Sequence, residues 1–198
     1  ALEVRGLGRT GVAESISFAV HRQEVVGIAG LMGAGRTEVA RMIFGLDSYD
    51  EGVVRVGGAP LAKSSPRTSV ARGMAFLTEN RREEGLLPDE GVMANIALAS
   101  LDRFARGPFR FVAGQRLEQA CGRLVAELSI ACRSQQLQPV KTLSGGNQQK
   151  VVLSRWLLRN ADVLILDEPT RGIDVGARQQ VYEQIQAAAT RGAAVLMI

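Results

Sequence analysis

Apolar and polar positions alternate at the start of the chain, at Leu2, Val4 and Leu7 and again at Ile16, Phe18 and Val20. A period of two places one face of a strand inward, so residues 2–20 predict short antiparallel strands around a turn, an antiparallel β edge region. Continuous apolar runs follow at residues 24–30, 52–58 and 73–78, and again at 163–166, with a last one beginning at Ala193. Runs of this length bounded by glycine or charge predict strands, and the four β-formers from Val163 to Leu166 predict one buried on both faces. Between them the period changes. Val39, Met42, Ile43 and Leu46 fit a helix, as do Val92, Met93, Ile96 and Leu98. Residues 115–131 place Leu117, Ala120, Cys121, Leu124 and Leu128 on one helical face, and helices are also predicted from Val151 to Leu157 and over residues 175–190. Residues 59–73 read as a loop and short helix, and residues 104–111, with three aromatics and two arginines around Gly107 and Pro108, read as a helix–helix connection. Strands and helices in this order predict an α/β protein. Residues 1–90 and 141–198 would form its core with the β edge, and residues 91–140 an inserted helical subdomain.

Three junctions between these elements carry candidate chemistry. The strand at 24–30 runs into GLMGAGRT, residues 30–37, and then into a helix. Strand, glycine-rich loop and helix start is the context of a phosphate-binding loop. The glycines let backbone N–H groups turn inward toward an anion, and the helix N-terminus adds its partial positive charge. Thr37 is placed to offer a hydroxyl to Mg²⁺. Arg36 stands where such loops carry lysine, and a planar fork does not replace a slim point charge. The charge-assisted hydrogen bond at stake is worth ~1.5–3 kcal/mol, about ten- to hundredfold in affinity. The second junction is Leu143-Ser-Gly-Gly, where Ser144 is a good N-cap and Gly145 and Gly146 leave backbone N–H groups bare at a helix start. The third is the end of the buried strand, where Asp167 and Glu168 precede Pro169. Two acids at the carboxyl end of a parallel strand sit where open α/β sheets bind ligands. Asp167 is placed to hold Mg²⁺ and Glu168 to polarise a water.

Charge and cysteine usage change this picture little. The net charge is +4, but basic residues are scattered, and Arg81-Arg82 is answered at once by Glu83-Glu84. That pattern favours a solvated surface and an anionic ligand over a nucleic-acid stripe. Cys121 and Cys132 have no neighbouring Cys or His to complete a metal site; they read as reduced core residues, Cys132 returning to the face of Cys121 if the helix persists. No apolar run approaches the ~20 residues of a membrane span. The chain starts without Met and stops within an apolar run, which suggests a C-terminally incomplete domain.

Order and spacing join the junctions. Leu143 lies 113 positions after Gly30, and Asp167 lies 21 after Gly146. A glycine loop, an LSGG helix start and an apolar run closing in Asp-Glu-Pro-Thr resemble an ATP-binding cassette ATPase over nearly the whole chain. GLMGAGRTE at 30–38, LTENR at 77–81, LSGGNQQK at 143–150 and PTRGIDVG at 169–176 are similar to the second, C-terminal cassette of bacterial monosaccharide importers. The resemblance implies a RecA-like P-loop core with a helical subdomain, pairing head to tail with a second cassette. It implies ATP and Mg²⁺ as cofactors. It further implies a peripheral place on the cytoplasmic side of the membrane, docked on permease subunits and served indirectly by a sugar-binding protein. Gly30, Gly33, Ala34, Gly35, Arg36 and Thr37 would cradle the ATP phosphates, with Thr37 and Asp167 on Mg²⁺. Glu168 would be the general base. Glu79 would stand in the water-sensing loop, where the family carries glutamine. Ser144, Gly145 and Gly146 would bind the γ-phosphate of ATP held by the partner cassette, and Asp174 would lie in the loop that crosses the dimer interface. The adenine-stacking aromatic common in the family is absent from residues 1–15, and the family's switch histidine would follow Ile198; His21 precedes the glycine loop and does not match it.

Two departures, Arg36 and Glu79, suggest a degenerate half that binds ATP but turns it over poorly. The alternatives are a non-catalytic half whose LSGG helix completes a partner's site, and a soluble cassette acting on nucleic acid. Asn147-Gln-Gln after LSGG, and the lack of a lysine-rich linker, speak against the last.

Overall fold

The structure is a computed structural model that describes residues 1–31, 33–61, 65–106 and 111–198, the side chains of Arg82 and Arg106 excepted. The chain divides into two units, one of residues 1–76, 161–168 and 185–198 and one of residues 77–160 and 169–184.

The first unit contains two sheets. β1 (Leu2–Arg9), β2 (Ala13–Val20), β4 (Glu51–Val56) and β5 (Ala59–Pro60) form an antiparallel sheet in the order β2-β1-β4-β5. The strand expected at 52–58 therefore joins those expected at 2–20, and β1 lies inside the sheet. β3 (Val25–Gly27), β6 (Met74–Leu77), β9 (Val163–Leu166) and β10 (Ala194–Met197) form the second sheet, in the order β3-β10-β9-β6. β10 pairs in parallel with both β3 and β9. All four residues of β9 are buried, as its unbroken apolar run predicts. The strand expected to be buried at 24–30 is shorter and partly exposed, with Val25 at 38%. The physical reason is position: among the described residues β3 is the edge of its sheet and has one ladder partner, β10.

Helix α1 (Arg36–Phe44) supplies Val39, Ala40, Met42, Ile43 and Phe44 to a core that also takes Leu2, Val4 and Leu7 from β1, Val54 and Val56 from β4, and Val163 and Ile165 from β9. The helix thus packs against apolar residues of both sheets. Phe44 stacks on Phe76, ring centroids 5.4 Å apart. α1 stops at Gly45, whose φ of 82° is the left-handed cap that lets its N–H reach back to the last turn. α2 (Pro66–Ala71) begins with Ser65 accepting from the Thr68 N–H and Pro66 at its first position.

The second unit is helical. α3 (Val92–Ala97), α5 (Gly114–Glu127) and α6 (Gly145–Arg159) pack on one another. Asn95, fully buried, is their polar pin: its amide exchanges hydrogen bonds with the Leu87 N–H and the Leu87, Glu90 and Gly91 carbonyls. The buried Arg155 of α6 donates to the Asn95 carbonyl at 2.8 Å, and burial pushes its guanidinium down to about 10. The expected helix at 115–131 ends earlier, at Glu127, and Ser129 turns left-handed at φ 48°. Cys132 consequently does not return to the face of Cys121. Cys121 is fully buried, its thiol pushed up to about 11, while Cys132 is only half-buried. The connection expected over 104–111 holds a short α4 (Leu101–Phe104) and a two-stranded ribbon, β7 (Ala105–Arg106) with β8 (Phe111–Val112); residues 107–110 lie outside the described residues. A single π-helical turn, Arg81–Gly85, follows β6, and α7 (Val175–Thr190) runs between the two β-strands that close the chain. No helix among the described residues is long and apolar enough to cross a membrane.

Candidate functional site

In the first unit the glycine loop joins β3 to α1. Gly33 and Gly35 take φ values of 80° and 78°, a backbone that L side chains rarely adopt. The Ala34 N–H closes the turn on the Leu31 carbonyl at 3.1 Å. Gly35 is the N-cap of α1 and offers no side-chain hydrogen bond, so the first amides of the helix are left to a ligand. A Cβ at Gly35 would stand 2.9 Å from the backbone carbonyl oxygen of Val12, in the β1–β2 turn. A Cβ at Gly30 would meet Arg36 Cδ at 3.4 Å and Ala34 Cβ at 3.5 Å, so the stem of Arg36 folds back over the first glycine of its own loop. Gly35→Ala is expected to cost about 1–3 kcal/mol of stability from backbone strain and the displaced Val12 turn. A chemical denaturation midpoint lowered at unchanged slope would show it.

Asp167 and Glu168 extend past β9 in the same unit. Asp167 is 1% exposed, and neither carboxylate oxygen has a hydrogen-bond partner among the described residues. Burial pushes its carboxyl above the ordinary carboxylate value. The Thr37 hydroxyl lies near enough to favour the charged form without reaching hydrogen-bond geometry; the Glu168 charge acts to raise the value, Arg36 to lower it and Glu38 to raise it again. A buried carboxylate left without a donor costs free energy unless a cation completes it. Two hard oxygens, the Asp167 carboxylate and the Thr37 hydroxyl, suit Mg²⁺, which keeps waters and phosphate oxygens for the rest of its shell. Among the described residues there is no cluster of three His, Cys, Asp or Glu, as a dedicated all-protein cage would require. Glu168 is exposed and sits at φ 49°, pinned by its N–H to the Ile198 carbonyl at 3.1 Å. A left-handed glutamate is strained, and such strain concentrates at functional positions.

In the second unit, Ser144 caps α6. Its Oγ accepts from the Asn147 N–H at 3.4 Å and from Asn147 Nδ2 at 3.0 Å. Asn147 Oδ1 in turn accepts the Ala131 N–H at 3.0 Å, which fixes which way the amide points. A Cβ at Gly146 would stand 3.6 Å from Ile173 Cα, and one at Gly145 would stand 2.6 Å from Arg81 Nη2. Asp174 Oδ1 accepts the Ala177 N–H at 2.9 Å and so caps α7. The Glu79 carboxylate pairs with the Arg171 guanidinium. The fold thus brings Gly30, Gly33, Ala34, Gly35, Arg36, Thr37, Asp167 and Glu168 into one unit, and Glu79, Ser144, Gly145, Gly146 and Asp174 into the other. Sequence reasoning missed Arg81, Asn147 and Arg171. Asn147 was within reach, three residues beyond a serine N-cap; no local signal ties residue 171 to residue 79.

The model of the ABC transporter family matches residues 13–171, most of the chain. The chain belongs to that family. It is 49% identical over its full length to the ribose import ATP-binding protein RbsA 1 of Rubrobacter xylanophilus, covering 39% of that protein. It is 46% identical, again over its full length, to a putative ribose/galactose/methyl galactoside import ATP-binding protein of Burkholderia ambifaria, of which it covers 38%. The chain therefore spans about two fifths of the length of these relatives. Among solved structures, a dimeric bacterial ABC transporter cassette, MJ0796, superposes with a TM-score of 0.83 at 20% identity, covering all of this chain and 87% of that one. An ATP-binding subunit of an ABC transporter superposes with a TM-score of 0.78 at 26% identity, covering 99% of this chain and 78% of that one. The α/β cassette fold expected from the resemblance is the fold found.

Proposed function

We propose that this chain binds Mg-ATP and hydrolyses it to power import of a monosaccharide through a membrane permease, as the degenerate second half of a two-cassette subunit. The observation that carries the reading is the buried Asp167 carboxylate without a hydrogen-bond partner among the described residues, in the same unit as the uncapped helix start of the glycine loop. The names of the relatives, ribose and galactose import ATP-binding proteins, support the substrate class.

In this reading Gly30, Gly33, Ala34 and Gly35 present backbone N–H groups to the phosphates, and Arg36 adds charge from a side chain folded over the loop. Thr37 and Asp167 would hold Mg²⁺, which neutralises charge on the phosphate oxygens. Glu168 accepts a proton from the attacking water. Phosphoryl transfer depends mostly on positioning and charge, so the site needs the second half that a partner brings. Ser144, Gly145 and Gly146 offer that half to the ATP of a partner cassette, and Asp174 lies in the loop beside it. The protein would sit peripherally at the cytoplasmic face of the membrane, against permease subunits fed by a sugar-binding protein.

A second reading, a non-catalytic half that lends its α6 start to the partner, is favoured by Arg36 in the lysine position and by the engagement of Glu79 with Arg171. Calorimetry of Mg-ATP binding by the native chain and by Arg36→Lys separates the two. Micromolar binding by the native chain is expected, strengthened about ten- to hundredfold by lysine. Binding by the lysine variant alone would support the lending role. No binding by either, with the partner cassette present, would overturn the proposal.

A further inference from the structure

Glu79, Arg81 and Arg171 form a charged cluster that the glycine loop and the acid pair do not include. Arg171 is held at both ends: its guanidinium pairs with the Glu79 carboxylate, and its backbone carbonyl accepts from Arg81 Nη1 at 3.1 Å. Both contacts come from one short stretch, the first residues after β6. The Arg81 guanidinium also fills the gap between that loop and the start of α6. A Cβ at Gly145 would lie 2.6 Å from its Nη2, and one at Gly172 would lie 3.1 Å from the same atom. Beyond this point the loop meets the helix directly, with Ile173 Cα and the Gly172 carbonyl oxygen 3.6 and 3.7 Å from where a Gly146 Cβ would stand. Ile173 is buried, and Asp174 caps α7 one residue later.

We infer that Glu79 and Arg81 are positioning residues that clasp the loop of residues 171–174 and hold it against the first turn of α6. The inference rests on the proposed function only in taking that loop and helix start as the half-site offered to a partner's ATP. Glu79 acts there through Arg171: in this geometry its carboxylate answers a guanidinium. The side chains of Glu79 and Arg171 are 37% and 56% exposed, so the pair is weak by itself. Its effect comes from acting together with the Arg81 bond on one residue, leaving the loop fewer positions to sample. The arrangement also explains why glycine suits position 145 irrespective of any ligand. A side chain there would displace the guanidinium and open the clasp.

The test is hydrogen exchange by mass spectrometry on the native chain, Glu79→Gln, Arg171→Glu and the swap Glu79→Arg with Arg171→Glu, all without nucleotide. Exchange at residues 171–174 is expected to quicken about two- to fivefold in both single variants and to return toward native in the swap, with peptides from β1 and β2 unchanged. Native exchange in Glu79→Gln, or a swap no better protected than Arg171→Glu alone, would overturn the clasp. In the assembly with a partner cassette, kcat is expected to fall severalfold in Arg171→Glu at constant KM for ATP and to recover in the swap. A change in KM without recovery would assign Arg171 to the nucleotide and overturn the clasp as well. Exchange is read without ATP, so it reports on the clasp even if the chain proves unable to bind nucleotide, a result that would overturn the proposed function alone.

Discussion

Asp167→Asn is expected to weaken Mg²⁺-dependent ATP binding by this chain about ten- to hundredfold while leaving the fold intact, because it removes the carboxylate, buried among the described residues, that we propose meets the metal. The same change should alter the pH dependence of stability without nucleotide. The native carboxyl titrates above its unfolded value because burial opposes the charge. Between those two values the folded state holds more protons than the unfolded state, so stability is fully present below the unfolded value and is lost as pH rises through the folded one. Asp167→Asn has no such loss, and its Tm relative to the native chain should climb across that window. Mg²⁺ competes with the proton for the same oxygens, so nucleotide-dependent Mg²⁺ affinity of the native chain should rise with pH over the same range. Thermal melts and Mg²⁺ titrations at several pH values measure both. Parallel melting curves would show that burial does not shift the Asp167 carboxyl, and Mg²⁺ affinity unchanged in Asp167→Asn would remove it from the metal site.

Gly146→Asp is expected to abolish turnover, to below about one part in a hundred, whereas Arg36→Ala costs only about tenfold. Space is not the reason, since a Cβ at 146 would meet Ile173 and Gly172 at ordinary contact distance. The reason is charge. A carboxylate in the first turn of α6 occupies the electrostatic place of a phosphate and repels one. The same carboxylate favours the helix, by roughly 0.3–1 kcal/mol from the dipole, so Tm should not fall. Lost activity at undiminished stability separates this effect from misfolding. Gly146→Ala, which adds bulk without charge, should lose less. Equal losses in Gly146→Asp and Arg36→Ala would count against the asymmetry between the two half-sites.

Elements whose burial is uniform were legible in the chain. Val163–Leu166 is apolar at every position and buried at every position, and the Ser144 cap marked the start of α6 to the residue. Elements set by neighbours distant in sequence were not. Residues 24–27 look like a core strand, yet β3 is an edge because nothing local says which strands flank it. The helix expected to reach Ala131 ends at Glu127, where a left-handed Ser129 outweighs an apolar periodicity that continues on paper. In the site, Asp167 was legible as an acid at a strand end, but its lack of partners among the described residues was not, since that depends on what packs around it. The Glu79–Arg171 pair lay hidden because its members are joined only by the fold, and Arg81 looked like one more charge in a solvated run.

The Ser144 cap carries one more consequence. A hydroxyl has two lone pairs and one proton. Asn147 engages the oxygen from its backbone and from its side chain, and the Ala131 N–H keeps that side chain from turning over. What Ser144 has left to present is the proton. Helix capping, a stabilising device, thereby makes the hydroxyl a rectifier: it can give a hydrogen bond outward but can no longer take one. Such a group discriminates by polarity before shape matters, welcoming an oxyanion and turning away an ammonium or a metal ion of the same size.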